Sequence, residues 1–124
     1  MRSRVLLLTA ASLLVSLAAV TAEATVLRVV VVETSDAAAY VKELERGKAL
    51  MKKAGMTGQI RVWRARFAGQ DAGAIAVGVE YSDLATFAAE DKKMQTDPEL
   101  SAWLKGLDKL RKIVSDSVYD ELTP

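Results

Sequence analysis

Apolar and polar positions along the chain form a repeating pattern in which strand-like runs alternate with helix-like stretches. The first run is 26–34, reading VLRVVVVET, and it contains four consecutive valines, Val29–Val32. Valine is β-branched and packs well on a pleated surface, and a run without polar alternation is typical of a strand covered on both faces. The pattern predicts a central strand here.

The stretch 37–54 has helical periodicity. Ser35-Asp36 precede it as an N-cap signal, and Gly55 follows where a left-handed C′ residue belongs. Its apolar positions recur every three or four residues and form one stripe: Tyr40, Val41, Leu44, Met51 and Ala54. We expect this stripe to face the sheet.

A hairpin is predicted next. The run 59–67 (QIRVWRARF) reads as a strand, the glycine-containing segment 68–73 as a turn, and 74–81 (AIAVGVEY) as a strand. The last run alternates cleanly, which places Ile75 and Tyr81 on one side and Glu80 on the other.

A second helix is predicted over about 84–95, capped by Ser82-Asp83, and it restarts at Asp97-Pro98-Glu99 with an N-cap, a first-turn proline and an acid. The restarted helix carries Trp103 within an apolar stripe, which indicates a core position. The segment 113–122 (IVSDSVYDEL) reads as a final, more polar strand.

The order β-α-β-β-α-β predicts an α+β, ferredoxin-like domain spanning 25–124, with a four-stranded antiparallel sheet and both helices on one face. The first and third strands would be central. Because Val29–Val32 place side chains on both sides of the sheet, the second face would also be apolar. Such a face generally marks an interface, so we expect a homodimer.

Residues 1–24 predict a cleaved signal peptide. Arg2 and Arg4 precede an apolar run over 5–20, and Ala22-Glu23-Ala24 has the small-x-small pattern that a signal peptidase accepts. The alternative, an uncleaved membrane anchor, requires about 20 apolar residues. We therefore expect an exported protein, periplasmic or secreted, without stable membrane association after cleavage.

Composition excludes several mechanisms. The chain contains no His and no Cys, so it has no Ser-His-Asp triad, no cysteine nucleophile, no thiolate or imidazole metal site and no histidine haem ligand. Without 1–24 the chain carries 15 basic and 15 acidic residues, which argues against nucleic-acid binding. No cofactor or metal is expected.

Two segments carry a family resemblance: 82–87 (SDLATF) and 97–104 (DPELSAWL). Together with the element order they resemble the dimeric α/β-barrel superfamily, which includes NIPSNAP-like domains and antibiotic-biosynthesis-type monooxygenases. The resemblance covers nearly all of 25–124 and is one of pattern, without a catalytic signature. It implies that two sheets face each other, and that ligands sit between a sheet and its helices or within the barrel.

The densest candidate for ligand binding is the second strand, where Arg61, Arg64 and Arg66 alternate with Trp63 and Phe67. Arginines beside aromatic rings can bind an anion or a flat ligand by ion pairing and stacking. The alternative, which the pattern favours, is an edge strand whose charges discourage aggregation while the two aromatic rings fill core.

Glu80 is the second candidate. It belongs to a row of small residues that leave room for a ligand, where a desolvated carboxylate would have a raised pKa and could act as a base. Arg28 is its most plausible partner if both share a face. The simpler alternative is a structural Glu–Arg pair.

Three functions stay open. The preferred hypothesis is an exported homodimer that binds a small organic ligand or acts as a scaffold, with Arg28, Arg61, Trp63, Arg64 and Glu80 as candidate ligand contacts. The second, allowed by the resemblance, is a cofactor-independent monooxygenase acting on an aromatic substrate. The third is a protein-interaction module.

Overall fold

The structure is a computed structural model that describes residues 24–123. The predicted signal peptide therefore lies outside the described residues, apart from Ala24. The elements, in chain order, are β1 (Val26–Glu33), α1 (Ala37–Lys53), β2 (Gln59–Arg64), a 3₁₀ turn (Gly69–Asp71), β3 (Ile75–Tyr81), α2 (Leu84–Thr96), α3 (Pro98–Leu107) and β4 (Lys112–Asp120).

The four strands form one antiparallel sheet in the order β2-β3-β1-β4. The predicted fold class is confirmed, with β1 and β3 in the centre and β2 and β4 at the edges. In β1 the register places Leu27 opposite Glu80 and Arg28 opposite Val79. A bulge interrupts the pairing of β1 with β4 between Val31 and Val32.

Opposed residues of an antiparallel pair point to the same side of the sheet, so the register defines two faces. The helix-facing side carries Arg28, Val30, Val32, Ile60, Val62, Ile75, Val77, Val79 and Tyr81. The other side, here called the open face, carries Leu27, Val29, Val31, Arg61, Trp63, Ala76, Gly78, Glu80, Ser115, Ser117 and Tyr119.

The core lies between the helix-facing side and the helices. Tyr40 and Leu44 of α1 pack with Val32 of β1 and with Trp103 and Leu107 of α3, all of them buried. The predicted core position of Trp103 is confirmed, since its side chain is 4% exposed.

A close approach of two helices depends on Gly47, which sequence periodicity did not single out. A Cβ added at Gly47 would lie 2.1 Å from Cζ2 of Trp103, well inside van der Waals contact. The indole Nε1 also donates a hydrogen bond to the carbonyl oxygen of Glu43, at 3.2 Å. The ring of Trp103 therefore occupies the space that a side chain at position 47 would need.

The predicted helix signals are confirmed. Asp36, Asp83 and Asp97 accept hydrogen bonds from backbone N–H groups in the first turns of α1, α2 and α3. Gly55 has a φ of 75°, and Met56 N–H donates to the Met51 carbonyl, which is the hydrogen bond of a Schellman motif.

Two expectations about β2 have different outcomes. Its edge position is confirmed, but the strand ends at Arg64 rather than Phe67 because the turn closes on Ala65, which exchanges backbone hydrogen bonds with Gly73 and Ala74. The expectation that Trp63 and Phe67 fill core is wrong. Trp63 is 48% exposed and Phe67 is fully exposed, because one lies on the open face and the other in the turn.

No helix within 24–123 is both long enough and apolar enough to cross a membrane.

We predict that Gly47→Ala lowers the free energy of unfolding by about 1–3 kcal/mol, because the new methyl group overlaps Trp103 and forces the helices apart. Gly106→Ala is the matched control in α3, where an added Cβ meets nothing within 4 Å. That variant is expected to be neutral or more stable, by up to about 1 kcal/mol. Urea unfolding followed by circular dichroism measures both, and equal stability of Gly47→Ala and wild type would contradict the packing argument.

Candidate functional site

A cavity of about 230 Å³ lies between the helix-facing side of the sheet and the three helices. Its walls are mainly apolar and come from strands and helices alike: Val30, Leu44, Met51, Ile60, Val77, Val79, Met94, Trp103, Leu104 and Leu107. Because these side chains belong to rigid elements, the cavity is part of the folded subunit rather than of a loop.

The cavity also has a set of polar lining residues, here called the mouth: Arg28, Tyr81, Asp91, Gln95, Asp108, Arg111 and Asp116. The guanidinium of Arg28 donates to both carboxylate oxygens of Asp116, with Nε–Oδ1 at 3.0 Å and Nη2–Oδ2 at 2.7 Å. Nη1 also donates to Oδ1 of Asp91, at 2.9 Å. Arg28 thus connects its own strand to β4 and to α2.

Arg111, which follows α3 in the chain, provides the second guanidinium group of the mouth. It donates to Oδ1 of Asp108 from Nε and Nη2, at 3.2 and 3.0 Å, and to the Tyr40 hydroxyl from Nη1, at 3.1 Å. The Arg111 side chain is only 8% exposed. Gln95 also belongs to the mouth and donates to Oδ2 of Asp91, at 3.1 Å.

Protonation in the mouth follows from these contacts. Hydrogen bonds from Arg28 hold the pKa of Asp116 below its usual value, while the same hydrogen bonds raise the pKa of Arg28 against the opposing effect of burial. Burial raises the pKa of Tyr81, which lines the cavity, to about 12. At neutral pH the mouth therefore contains an ionised Asp116, a charged Arg28 and a neutral Tyr81 phenol.

Glu90 is a buried charged residue outside the mouth, 7% exposed. Its carboxylate accepts hydrogen bonds from the backbone N–H groups of Thr57 and Gly58, the latter at 3.2 Å, and from the Thr57 hydroxyl. These contacts fix the connection between α1 and β2 against α2. Glu90 thus has a structural role, and its carboxylate is buried among these hydrogen-bond donors.

Three of the predicted ligand contacts come together on the open face. Arg61 pairs with Glu80, and its Cζ atom lies 5.6 Å from the ring centroid of Trp63. The Trp63 ring lies over Gly78, where an added Cβ would be 2.6 Å from Cζ3 of the indole. Here the simpler alternative, a Glu–Arg pair, is the one the structure contains.

The other two predicted contacts lie elsewhere. Arg28 is not the partner of Glu80, because the register puts it on the helix-facing side, with Asp91 and Asp116. Arg64 lies at the edge of the sheet, in an open groove that borders α1 and that Trp63 also lines. The five predicted residues therefore do not form one site, and their role in ligand binding stays a prediction.

The sequence contains a signal for the mouth in the position of Arg28. Arg28 occupies a two-residue period with Val30 and Val32, so a strict alternation places one charge in an apolar, helix-facing row. A charge in such a row requires a partner. The identity of the partners could not be derived, because Asp91 and Asp116 reach Arg28 only through tertiary packing.

Within residues 24–123 no group of three or more His, Cys, Asp or Glu side chains is placed to hold a metal ion.

No protein-family model matches the chain, and no curated protein matches its sequence. Solved structures do match its fold. SnoaB, a cofactor-independent oxygenase from Streptomyces nogalater, superposes with a TM-score of 0.60 at 14% identity, over 82% of this chain and 96% of that one. A NIPSNAP family protein from Agrobacterium tumefaciens gives a TM-score of 0.58 at 14% identity, over 81% and 93%.

A third structure, assigned as an antibiotic biosynthesis monooxygenase from Bordetella bronchiseptica, gives a TM-score of 0.56 at 8% identity, over 82% of this chain and 99% of that one. These are the groups that the sequence resemblance named, so the expected fold relationship is confirmed. At such low identities the similarity concerns the fold alone.

We predict that Asp116→Asn lowers the free energy of unfolding at pH 7 by about 1 kcal/mol or less, since the lost ion pair is partly exposed and screened. The pKa of Asp116 is lower in the folded than in the unfolded chain. Its stabilising contribution is therefore complete above the unfolded value near 3.8 and is lost as the pH falls through the folded value.

The measurement is the difference in unfolding free energy between wild type and Asp116→Asn, followed from pH 7 to pH 2. We expect the difference to shrink below about pH 4. Glu33→Gln, which removes an exposed carboxylate at the end of β1, is expected to keep the wild-type pH profile. A difference between wild type and Asp116→Asn that does not change with pH would contradict the lowered pKa.

Proposed function

We propose that this protein binds a small, largely apolar organic ligand in the cavity between its sheet and its helices. The observation that carries the proposal is the cavity itself, about 230 Å³ with apolar walls and a charged mouth. A dry apolar cavity of about 150 Å³ is enough to bind benzene. The space therefore suits one ring with a short polar substituent, and ligand sites commonly combine apolar walls with a few polar groups.

We also propose that the protein is a homodimer joined through the open face. Leu27, Val29 and Val31 form a row in the centre of this face, and Tyr119 lies beside them, 57% exposed. The helices of the described chain cover the opposite side only. A second copy would bury the row and enclose the Arg61–Trp63–Glu80 cluster between two sheets, which is where the ligand contacts predicted on β2 and β3 would act.

Export is proposed on the sequence of residues 1–24 alone. The mature domain would begin at Thr25, directly before β1, so cleavage would remove no element of the sheet. Neither disulfides nor free thiols occur in a chain without cysteine, so the fold is compatible with an oxidising compartment.

Oxygenase activity is the second candidate function. What favours it is the fold similarity to SnoaB, a cofactor-independent oxygenase, together with a cavity that could shield an electron-rich aromatic ligand from water. Oxygen uptake in the presence of a bound, electron-rich aromatic compound distinguishes this activity from binding alone.

We predict that benzyl alcohol binds to the wild-type protein with a Kd on the order of 1 mM, as expected for so small a ligand. Val30→Phe places an aromatic ring in the cavity and should weaken binding at least tenfold (about 1.4 kcal/mol or more) while retaining the fold. Val114→Phe is the matched control, because it adds the same ring at an exposed position of β4 outside the cavity lining.

Binding is measured through the emission of Trp103, which lines the cavity, in a Trp63→Phe background that leaves one tryptophan. Failure of the Trp63→Phe protein to bind, or equal binding after Val30→Phe is added to it, would reject the cavity as the ligand site.

We predict that the mature protein sediments as a dimer at micromolar concentration and that Val29→Lys converts it to a folded monomer. A lysine at Val29 would place a charge in the centre of the proposed interface, where desolvation is costly. Val41→Lys, at a 36% exposed position of α1 on the helix side of the sheet, is the control and should stay dimeric. A monomeric wild type, or a dimeric Val29→Lys, would refute the open-face interface.

A further inference from the structure

We propose that the mouth makes the cavity selective for amphipathic cations, that is, ligands with an apolar body and an ammonium group, over carboxylates of the same shape. The proposal rests on the proposed ligand-binding function and specifies its ligand class.

The charges that line the cavity are unbalanced. Two of its lining residues are cationic, Arg28 and Arg111, and three are carboxylates, Asp91, Asp108 and Asp116. No lysine of the described chain lines the cavity. The mouth therefore carries one net negative charge beside an apolar space, where charges are screened less than in bulk water.

Both guanidinium groups are partly engaged by protein acceptors. Arg28 uses three N–H groups on Asp91 and Asp116, and Arg111 uses three on Asp108 and Tyr40. A guanidinium has five donors. Each guanidinium therefore keeps two N–H groups, but a ligand carboxylate that used them would lie beside Asp91, Asp108 and Asp116 and be repelled by the net negative charge of the mouth.

Acceptor sites on the carboxylates also remain for a cationic head group. The four carboxylate oxygens of Asp91 and Asp116 receive four hydrogen bonds, three from Arg28 and one from Gln95. Each ionised carboxylate offers about four lone-pair sites. An ammonium group, with three donors, can use the remaining sites without displacing Arg28.

The contacts also keep the carboxylates in place for this role. Asp91 and Asp116 come from α2 and β4 and are held on either side of Arg28 at 2.9 and 2.7 Å. Their side chains are 31% and 37% exposed, so they are reachable from the solvent side as well as close to the apolar walls. A ligand with its ring among the apolar walls can present its head group there.

The test compares benzylamine, benzyl alcohol and benzoate, three compounds with the same ring and different charge. Affinities are measured at pH 7 and low salt through Trp103 emission in the Trp63→Phe background. We expect benzylamine to bind about fivefold more tightly than benzyl alcohol, and benzoate to bind most weakly. Benzoate binding as tightly as benzylamine overturns the charge selectivity but leaves ligand binding in place, whereas no binding by any of the three overturns both proposals.

Asp91→Asn is the variant that tests the origin of the selectivity. It removes the net negative charge and preserves the shape of the side chain, so the preference for benzylamine over benzyl alcohol should fall close to parity. Glu45→Gln makes the same change in net charge at an exposed position of α1, paired with Lys48, and should retain the wild-type preference. If Asp91→Asn does not fold, Asp108→Asn provides the same charge change in the mouth. An unchanged preference in the folded variant refutes the proposal.

Discussion

The contact between Trp103 and Gly47 is the constraint on which the helical layer depends. It lets α1 and α3 approach closely over the centre of the sheet, because no side chain at position 47 separates them. The indole hydrogen bond to the Glu43 carbonyl fixes the orientation of the ring. The side chains beside Trp103 form the buried core and also line the cavity next to it.

Arg28 determines which charged groups line the mouth of that cavity. A guanidinium in an otherwise apolar, helix-facing row must be paired, because an isolated charge beside apolar walls would lose its hydration without compensation. Asp91 and Asp116 provide the pairing and thereby connect α2, β1 and β4. Arg28, Asp91 and Asp116 therefore both stabilise the contact between helix and sheet and determine the charge at the mouth. A substitution of Arg28 would change the fold's stability and the proposed ligand selectivity together.

The alternation of side chains in β1 and β3 divides the chemistry of the protein between two faces. Arg28 and Tyr81 belong to the cavity within one subunit, while Glu80 belongs to the open face with Arg61 and Trp63. The first arrangement is complete in a single chain. The second acquires an enclosed environment only if another copy covers it, which is why the cavity is the stronger candidate for ligand binding.

The sequence by itself determined the element order, the central positions of β1 and β3, the caps at Asp36, Asp83 and Asp97, and the left-handed Gly55, because each depends on local periodicity or backbone geometry. Tertiary structure alone decided the partners of Arg28, the space beside Gly47, and the exposure of Trp63 and Phe67. These features depend on the register of the strands and on where α2 and α3 dock, and both bring together residues that are distant in the chain.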